Sequence, residues 1–318
     1  MNCKLTHRDM AIFASLANLQ YLSSSQIAGL HFPNERKSRR RLRALHEVGY
    51  LKRFERPNLE AVGRGEYIYS LSTKGCKTYG EEPVAKRRRK SLLTVEHHLL
   101  LNDFRISLGQ SCSNSEFSCE FIAEYDRCEC SADKLAKRTT DCVVVPETME
   151  RVRFTPDGVF SIANQEGKKL LFFLEIDRGT ENLSASGNSR SFAERIAAYK
   201  HYLDGKGYAR YCEEFQFEFR GFRLLVVTTS LQRLEHLKEI AADVDPRGVV
   251  WLCLQKDITP ETLFGAIWFV AKIGDSDLHS IVSKDTVKVS RKVGRWSEHC
   301  APGNPTQQQV SQDVAGRI

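Results

Sequence analysis

FFLEIDRGTE, residues 172–181, begins as an apolar run and ends by placing Glu175 and Asp177 where a buried strand would normally continue. Carboxylates are among the side chains least often buried without a partner. Either the strand stops there and the charges are ordinary surface residues, or they line a site. Upstream, ANQEGK (163–168) reads as a turn, and VRFTPDGVFSI (152–162) as the strand that enters it. Asp157 lies 18 residues before Glu175 across that turn. Antiparallel pairing of the two strands sets Asp157 beside Glu175, and strand alternation puts Asp177 on the same face as Glu175. Three converging carboxylates are hard oxygen ligands of the kind Mg2+ or Mn2+ takes. With a nearby cation they are what metal-dependent phosphodiester cleavage needs.

The neighbouring segments give the fold class. TVEHHLLLNDFRISLGQS (94–111) predicts a helix with Val95, Leu99, Leu100, Phe104 and Leu108 on its core side. FSCEFIAEYDR (117–127) reads as a strand, and the aperiodic stretch from about 127 to 150 as a loop. SFAERIAAYKHYL (191–203) and LQRLEHLKEIAADV (231–244) read as amphipathic helices, FRLLVVTT (222–229) and GVVWLCLQ (248–255) as buried strands. TPETLFGAIWFVA (259–271) reads as a capped helix. This order predicts an α/β domain over 94–272, a mixed sheet covered by helices. Residues 273–318, rich in Gly, Ser, Asp and Lys, read as a disordered tail.

The N-terminal part has a different character. Residues 1–90 hold 19 Lys and Arg against 8 Asp and Glu, a net +11, whereas the remaining 228 residues hold 28 against 32, a net −4. LTHRDMAIFASLANLQYLSSSQIAGLHF (5–32) reads as two helices, the first capped by Thr6 with Asp9 three residues on. A third runs from a cap at Asn34 to a stop at Gly49, with Leu42, Leu45 and Val48 on one face. YLKRFERP (50–57) and EYIYSLST (66–73) then read as a hairpin. Three helices and a hairpin predict a winged helix-turn-helix over 1–80, followed by a basic linker over 81–93. Its expected partner is double-stranded DNA, met by Arg36, Lys37, Arg39, Arg40, Arg41 and Arg43 on the third helix. Lys52, Arg53, Arg56 and Arg64 charge the wing, and Arg87 and Arg88 in the linker can track the backbone.

Bulk composition excludes other classes. The chain is 41% hydrophobic and 27% charged, which fits a globular protein with a real core. No apolar run approaches the ~20 residues that span a bilayer. MNCKLTHRDM lacks the pattern of a secretory signal, so the expected location is the cytoplasm, with no membrane partner. The 10 cysteines are then expected to be reduced, and Cys128 with Cys130 has no second pair at zinc-ligand spacing.

The order helix, strand, PDG, strand ending E-x-D, then RIAAYKHY (195–202) resembles the PD-(D/E)XK nuclease fold. More narrowly, residues 5 to 270 resemble the replication-relaxation family of plasmid and mobile-element proteins, through EHHLLLNDFRISL (96–108), TPDGVF (155–160) and FFLEIDRGTE. That family is similar to one class of mobilisation relaxases, which nick DNA at a transfer origin. The resemblance implies catalytic roles for Asp157, Glu175 and Asp177, a Mg2+ or Mn2+ cofactor held by them, and a role for His97; helical spacing, which puts His97 on the face of Leu101, leaves His98 solvated. In one respect the chain departs from the nuclease pattern. Asp177 stands where a lysine is usual, and the candidate replacement cations are Arg178, Arg195 and Lys200. Tyr125, Tyr199 and Tyr202 are relaxase-type nucleophiles in principle, and aromatic core by the plainer reading. Two functions stay open: a DNA-nicking enzyme, or a non-catalytic DNA-binding regulator with a degenerate nuclease fold. A homodimer is compatible with either.

Overall fold

The computed structural model describes residues 4–56, 66–80, 91–126, 137–146, 148–179, 191–284 and 286–287. The chain begins with α1 (His7–Leu19), β1 (Leu22–Ser23), α2 (Ser24–His31), α3 (Glu35–Glu47), β2 (Leu51–Glu55), β3 (Tyr67–Leu71) and α4 (Thr73–Tyr79). Local chemistry sets these boundaries. Thr6 and Asp9 form a reciprocal capping box on α1, and Ser23 with Gln26 does the same for α2. The Asn34 side chain accepts from the Lys37 amide at 3.0 Å to open α3. Gly49, at φ 81°, takes the left-handed conformation that lets the chain leave α3. The three strands pair antiparallel in the order β1-β3-β2. Ile12, Phe13, Leu16, Leu22, Ile27, Leu42 and Leu45 fill the space beneath, each worth about 1.5–3 kcal/mol of burial.

The second part comprises α5 (Leu92–Ser113), β4 (Ser118–Ala123), β5 (Asp141–Val144), β6 (Arg151–Phe154), β7 (Gly158–Ala163), β8 (Lys169–Asp177), α6 (Phe192–Asp204), α7 (Arg210–Glu214), β9 (Arg223–Thr228), α8 (Leu231–Val244), β10 (Val250–Leu254), β11 (Trp268–Val270), β12 (Leu278–His279) and β13 (Thr286–Val287). One eight-stranded mixed sheet runs β13-β12-β11-β10-β9-β8-β7-β4, with β8, β9 and β10 parallel. This is the expected α/β class. β8 is central, and its apolar run is what burial on both faces demands. Phe173 with Leu224, Val226 and Leu252 packs under α6 and α8, while Phe172 and Leu174 with Leu225 pack on the other face with Leu101 and Phe104 of α5.

The structure departs from the sequence reading in four places. The stretch expected to be loop contains β5, paired with β6 from Asp141↔Phe154 to Val144↔Arg151. Asp141 disguises that strand, and Arg210 Nη1 at 2.6 Å and the Tyr211 hydroxyl at 2.8 Å satisfy its carboxylate. Residues 152–162 are two strands in different sheets, because Pro156 between them has no N–H to continue a ladder. Residues 259–271 form no helix. They turn and enter β11, whose Val270 pairs with Trp251 of β10, as suits the run Ile267 to Val270 beyond Gly265. Finally, β12 and β13 extend the sheet through residues 278–287, within the stretch expected to be a tail; residues 288–318 lie outside the described residues.

The N-terminal part is docked on α5. Asn102, fully buried, donates to Leu19 O at 2.9 Å and Tyr21 O at 2.7 Å. Gln26 Nε2 donates to Leu99 O at 2.9 Å and to Asp103 Oδ1 at 2.6 Å. Tyr21, Ile68, Val95 and Leu99 share a small apolar cluster across the same contact.

Candidate functional site

Three backbone segments meet at one end of the large sheet. The Asp157 amide donates to Leu174 O at 3.0 Å, continuing the β7–β8 register in which Gly158 faces Leu174, so Asp157 sits opposite Glu175. On the other side of β7, Ala123 of β4 faces Gly158, and the Glu124 amide donates to Asp157 O at 2.8 Å. From above, α5 brings His97, whose Nε2 is 2.9 Å from Asp157 Oδ1. The other Asp157 oxygen accepts from the Ile176 amide at 2.7 Å. His97, Glu124 and Asp157 each offer one ligand atom, and these atoms all lie within 4.8 Å of one another.

Glu175 lies beside this cluster, opposite Asp157, and is held from the α6 side. The Tyr199 hydroxyl donates to its Oε1 at 2.5 Å, and Arg195 Nη1 lies 3.5 Å from its Oε2. Lys137 Nζ donates to Glu124 Oε2 at 2.8 Å. Burial works against a charged His97 imidazole, but its hydrogen bond to Asp157 and the charges of Asp157, Glu124 and Glu175 outweigh that and raise its pKa. For Glu124 burial opposes ionisation, while Lys137 and the two histidines prevail and hold the carboxyl below the ordinary value. Burial first, then Glu175 and Asp157, pushes the Tyr199 phenol well up. It is a hydrogen-bond donor to Glu175.

The donor set fits a divalent cation. Two carboxylates and an imidazole are oxygen-rich enough for Mg2+ or Mn2+, and the nitrogen favours Mn2+ of the two. The set differs from the expected one. Asp177 is buried and filled by other partners, with Arg233 Nε and Nη2 each at 3.0 Å and the Thr228 hydroxyl at 2.8 Å. It belongs to an ion pair with α8. Among the expected cations, Arg195 reaches the cluster. Lys200 Nζ instead donates to Val244 O at 3.1 Å, and Arg178 Nη1 to Leu93 O at 2.7 Å. His98 is buried rather than solvated, stacked on Tyr125 at 5.0 Å and edge-on to Tyr21 at 5.9 Å. Glu124 and Lys137 are new to the site. Glu124 ends the apolar run of β4 much as Glu175 ends that of β8, which is a signal; Lys137 lies in an aperiodic stretch that offers none.

Replication-relaxation proteins share a sequence pattern that matches residues 13–214, more than half of this chain. The chain belongs to the replication-relaxation family. Comparison with curated proteins and with solved structures finds no match. The matched span contains the N-terminal part from Phe13 onward and every member of the cluster, and ties the chain to a replication- or mobilisation-related function. No helix of the described residues is long and apolar enough to cross a membrane.

A second charged feature of this replication-relaxation protein lies on α3. Arg36, Lys37, Arg39, Arg40 and Arg43 are exposed, and Arg39 pairs with Glu35. Arg41 turns inward. Its Nε donates to Asp9 Oδ1 at 2.7 Å, its Nη2 bonds the other oxygen, and it also reaches Lys4 O at 2.9 Å. A fully buried Asp9 needs that counter-charge, so Arg41 leaves the outward set. Lys52 is exposed, Arg53 stacks over the Tyr67 ring at 4.2 Å, and Arg56 Nε pairs with Glu96 of α5 at 2.8 Å. Arg64, Arg87 and Arg88 lie outside the described residues.

Proposed function

We propose that this replication-relaxation protein binds double-stranded DNA through α3 and cleaves one strand at the sheet-end cluster with Mn2+ or Mg2+. The observation that carries the reading is the convergence of His97, Glu124 and Asp157 from three separate segments, with Glu175 beside them. A divalent ion there would act as a Lewis acid and lower the pKa of a bound water. Asp157 is fixed for this by the Ile176 amide, and Glu175 by Tyr199 and Arg195. The reaction is hydrolysis: water oxygen bonds to phosphorus as one P–O ester bond breaks, and the proton water loses balances the one taken by the departing alkoxide. Direct attack by a tyrosine is disfavoured. The Tyr125, Tyr199 and Tyr202 hydroxyls donate to Asn102, Glu175 and Gly207 O, and all three rings are buried in the core.

DNA binding rests on two observations. The order α1-β1-α2-α3-β2-β3 supports the expected winged helix-turn-helix, whose third helix would enter the major groove. Four cations on that helix, Arg36, Lys37, Arg40 and Arg43, make no side-chain hydrogen bond or ion pair among the described residues. The order β7-turn-β8-α6 with Asp157 opposite Glu175 likewise supports the expected PD-(D/E)XK pattern.

The competing reading, a non-catalytic regulator, draws on Asp177. Where the nuclease pattern has a lysine, this chain has a carboxylate sealed by Arg233 and Thr228. Nicking of supercoiled plasmid carrying the DNA that flanks the gene decides between them. Nicked circles that require Mn2+ or Mg2+ and disappear with Glu175→Gln support the enzyme. Intact supercoils with either ion, alongside normal DNA binding, leave the regulator.

A further inference from the structure

The pattern behind the proposed cleavage asks for a cation beside the metal, and Asp177 cannot be it. Arg178 donates to Leu93 O and Lys200 to Val244 O. Resting on the proposed function, we infer that Lys137, from the segment entering β5, supplies that cation and meets a phosphate oxygen of the cleaved strand. Its Nζ is 2.8 Å from Glu124 Oε2, one of the candidate ligand groups.

An exposed Lys–Glu pair alone would mean little, since such pairs form widely on surfaces at little gain. This lysine is held in place from both sides. The Thr139 side chain, two residues on and fully buried, donates to Pro156 O at 3.2 Å, next to Asp157 itself. Thr140 and Thr155 hydroxyls meet at 3.0 Å. On the far side Arg210 donates to Arg138 O, to Thr140 O at 3.0 Å and to Asp141 Oδ1 at 2.6 Å, and Arg138 pairs with Glu214 at 2.5 Å. The segment is thus riveted to the strand that bears Asp157 and to α7. A fixed backbone beside the site is what an electrostatic stabiliser needs, because no reorganisation is then required when charge develops.

Lys137 is also open to an incoming strand. Its side chain is 37% exposed, against 27% for Arg195, which is engaged with Glu175. A compact ammonium on a flexible stem can turn from Glu124 to a phosphate oxygen once a metal ion neutralises that carboxylate.

The test compares Lys137→Ala and Lys137→Arg with wild type in three measurements: Mn2+ affinity by calorimetry without DNA, DNA affinity, and single-turnover nicking with saturating Mn2+. The expected result for Lys137→Ala is nicking lowered by about a hundredfold or more, the scale of losing one oxyanion donor. Mn2+ affinity should be unchanged or tighter, since a positive neighbour of Glu124 has gone, and Lys137→Arg should recover part of the rate. Nicking within about twofold of wild type in Lys137→Ala would overturn the inference while leaving the cleavage reading intact. So would a weakened Mn2+ affinity with a rate that returns to the wild-type value once Mn2+ is saturating, which would make Lys137 a mere support for Glu124. Wild type that nicks no DNA removes the reaction, and the role with it.

Discussion

The outer face of α3 and the end of the large sheet are both crowded with charge, yet they treat it in opposite ways. On α3, Arg36, Lys37, Arg40 and Arg43 stand in solvent without ion pairs among the described residues. At the sheet end, Asp157, Glu175, Glu124 and His97 are each tied to a partner at a defined atom. Solvated like charges raise affinity for a polyanion diffusely and additively, with salt-dependent strength. Charges fixed at defined atoms act together, and fail together when one is removed. The first arrangement suits binding and the second suits chemistry.

The contrast breaks most sharply at Asp157. Asp157→Asn keeps an acceptor for the Ile176 amide but loses the negative charge that faces His97. The proposed nicking should fall by about a hundredfold or more, as for loss of one preorganised electrostatic group, while DNA affinity stays put. Rates measured at saturating DNA check this, and an unaltered rate would remove the cluster from the chemistry.

Replacing Arg39, Arg40 and Arg43 together by Ala should do the reverse. Affinity should drop at moderate salt, and the slope of log K against log salt should shrink by about 0.9 for each phosphate that the protein no longer neutralises. The single-turnover rate at saturation should be unchanged. A lower affinity with an unaltered slope would mean that these arginines do not touch phosphate.

Arg41 is the exception on α3 that sharpens the rule, because it behaves like the sheet end. Arg41→Ala strands the buried Asp9 carboxylate and should cost about 2–3 kcal/mol in folding stability, short of the full penalty for a wholly buried pair because Arg41 is partly exposed. Burial raises the Asp9 pKa, but the hydrogen bonds from Arg41 and Thr6 prevail and hold it below the ordinary value of an aspartate. A depressed folded value means a stabilisation present in full above the unfolded value and lost as pH falls through the folded one. Denaturation followed from about pH 6 down to about pH 2 should therefore show an acid-side loss of stability that is smaller in Arg41→Ala. Arg40→Ala, by contrast, should leave stability within about 0.5 kcal/mol of wild type.

Much of this contrast is legible in the residues, and the illegible parts share a cause. Asp157 beside Glu175 follows from two apolar strands, one short turn and the period of a pleated strand, all local. The α/β class follows from buried strands alternating with amphipathic helices. Arg41 could have been placed inward, since it lies three residues after the buried Ser38 and four before the buried Leu45 on the same helix. Glu124 needs the non-local pairing of β4 with β7, and Lys137 needs its neighbours in β5, β6 and α7. Asp177 shares a face with Glu175 as expected, but Arg233 lies 56 residues further on, and nothing in FFLEIDRGTE announces it. β11 is hidden because TPETLFGAIWFVA satisfies helix caps locally, while its strand is decided by the edge of β10.

The two regions are nevertheless joined through one helix, and its joint is the weakest effect worth measuring. α5 presents His97 to the cluster, while Asn102, Asp103 and Arg105 of the same helix grip α1, α2 and the turn after α1. Asn102→Ala would leave the Leu19 and Tyr21 carbonyls without their donor in a buried contact, a loss of about 1–2 kcal/mol. Because His97 lies more than a helical turn away, the cluster should keep its metal affinity and nicking rate. What should change is cooperativity. Wild type is expected to melt its N-terminal part together with α5 in one transition. Asn102→Ala should separate an earlier transition, seen as faster amide exchange across α1 and β1 at unchanged protection in β7 to β10. Equal exchange in both proteins would mean that apolar packing among Tyr21, Ile68, Val95 and Leu99 holds the joint without the amide.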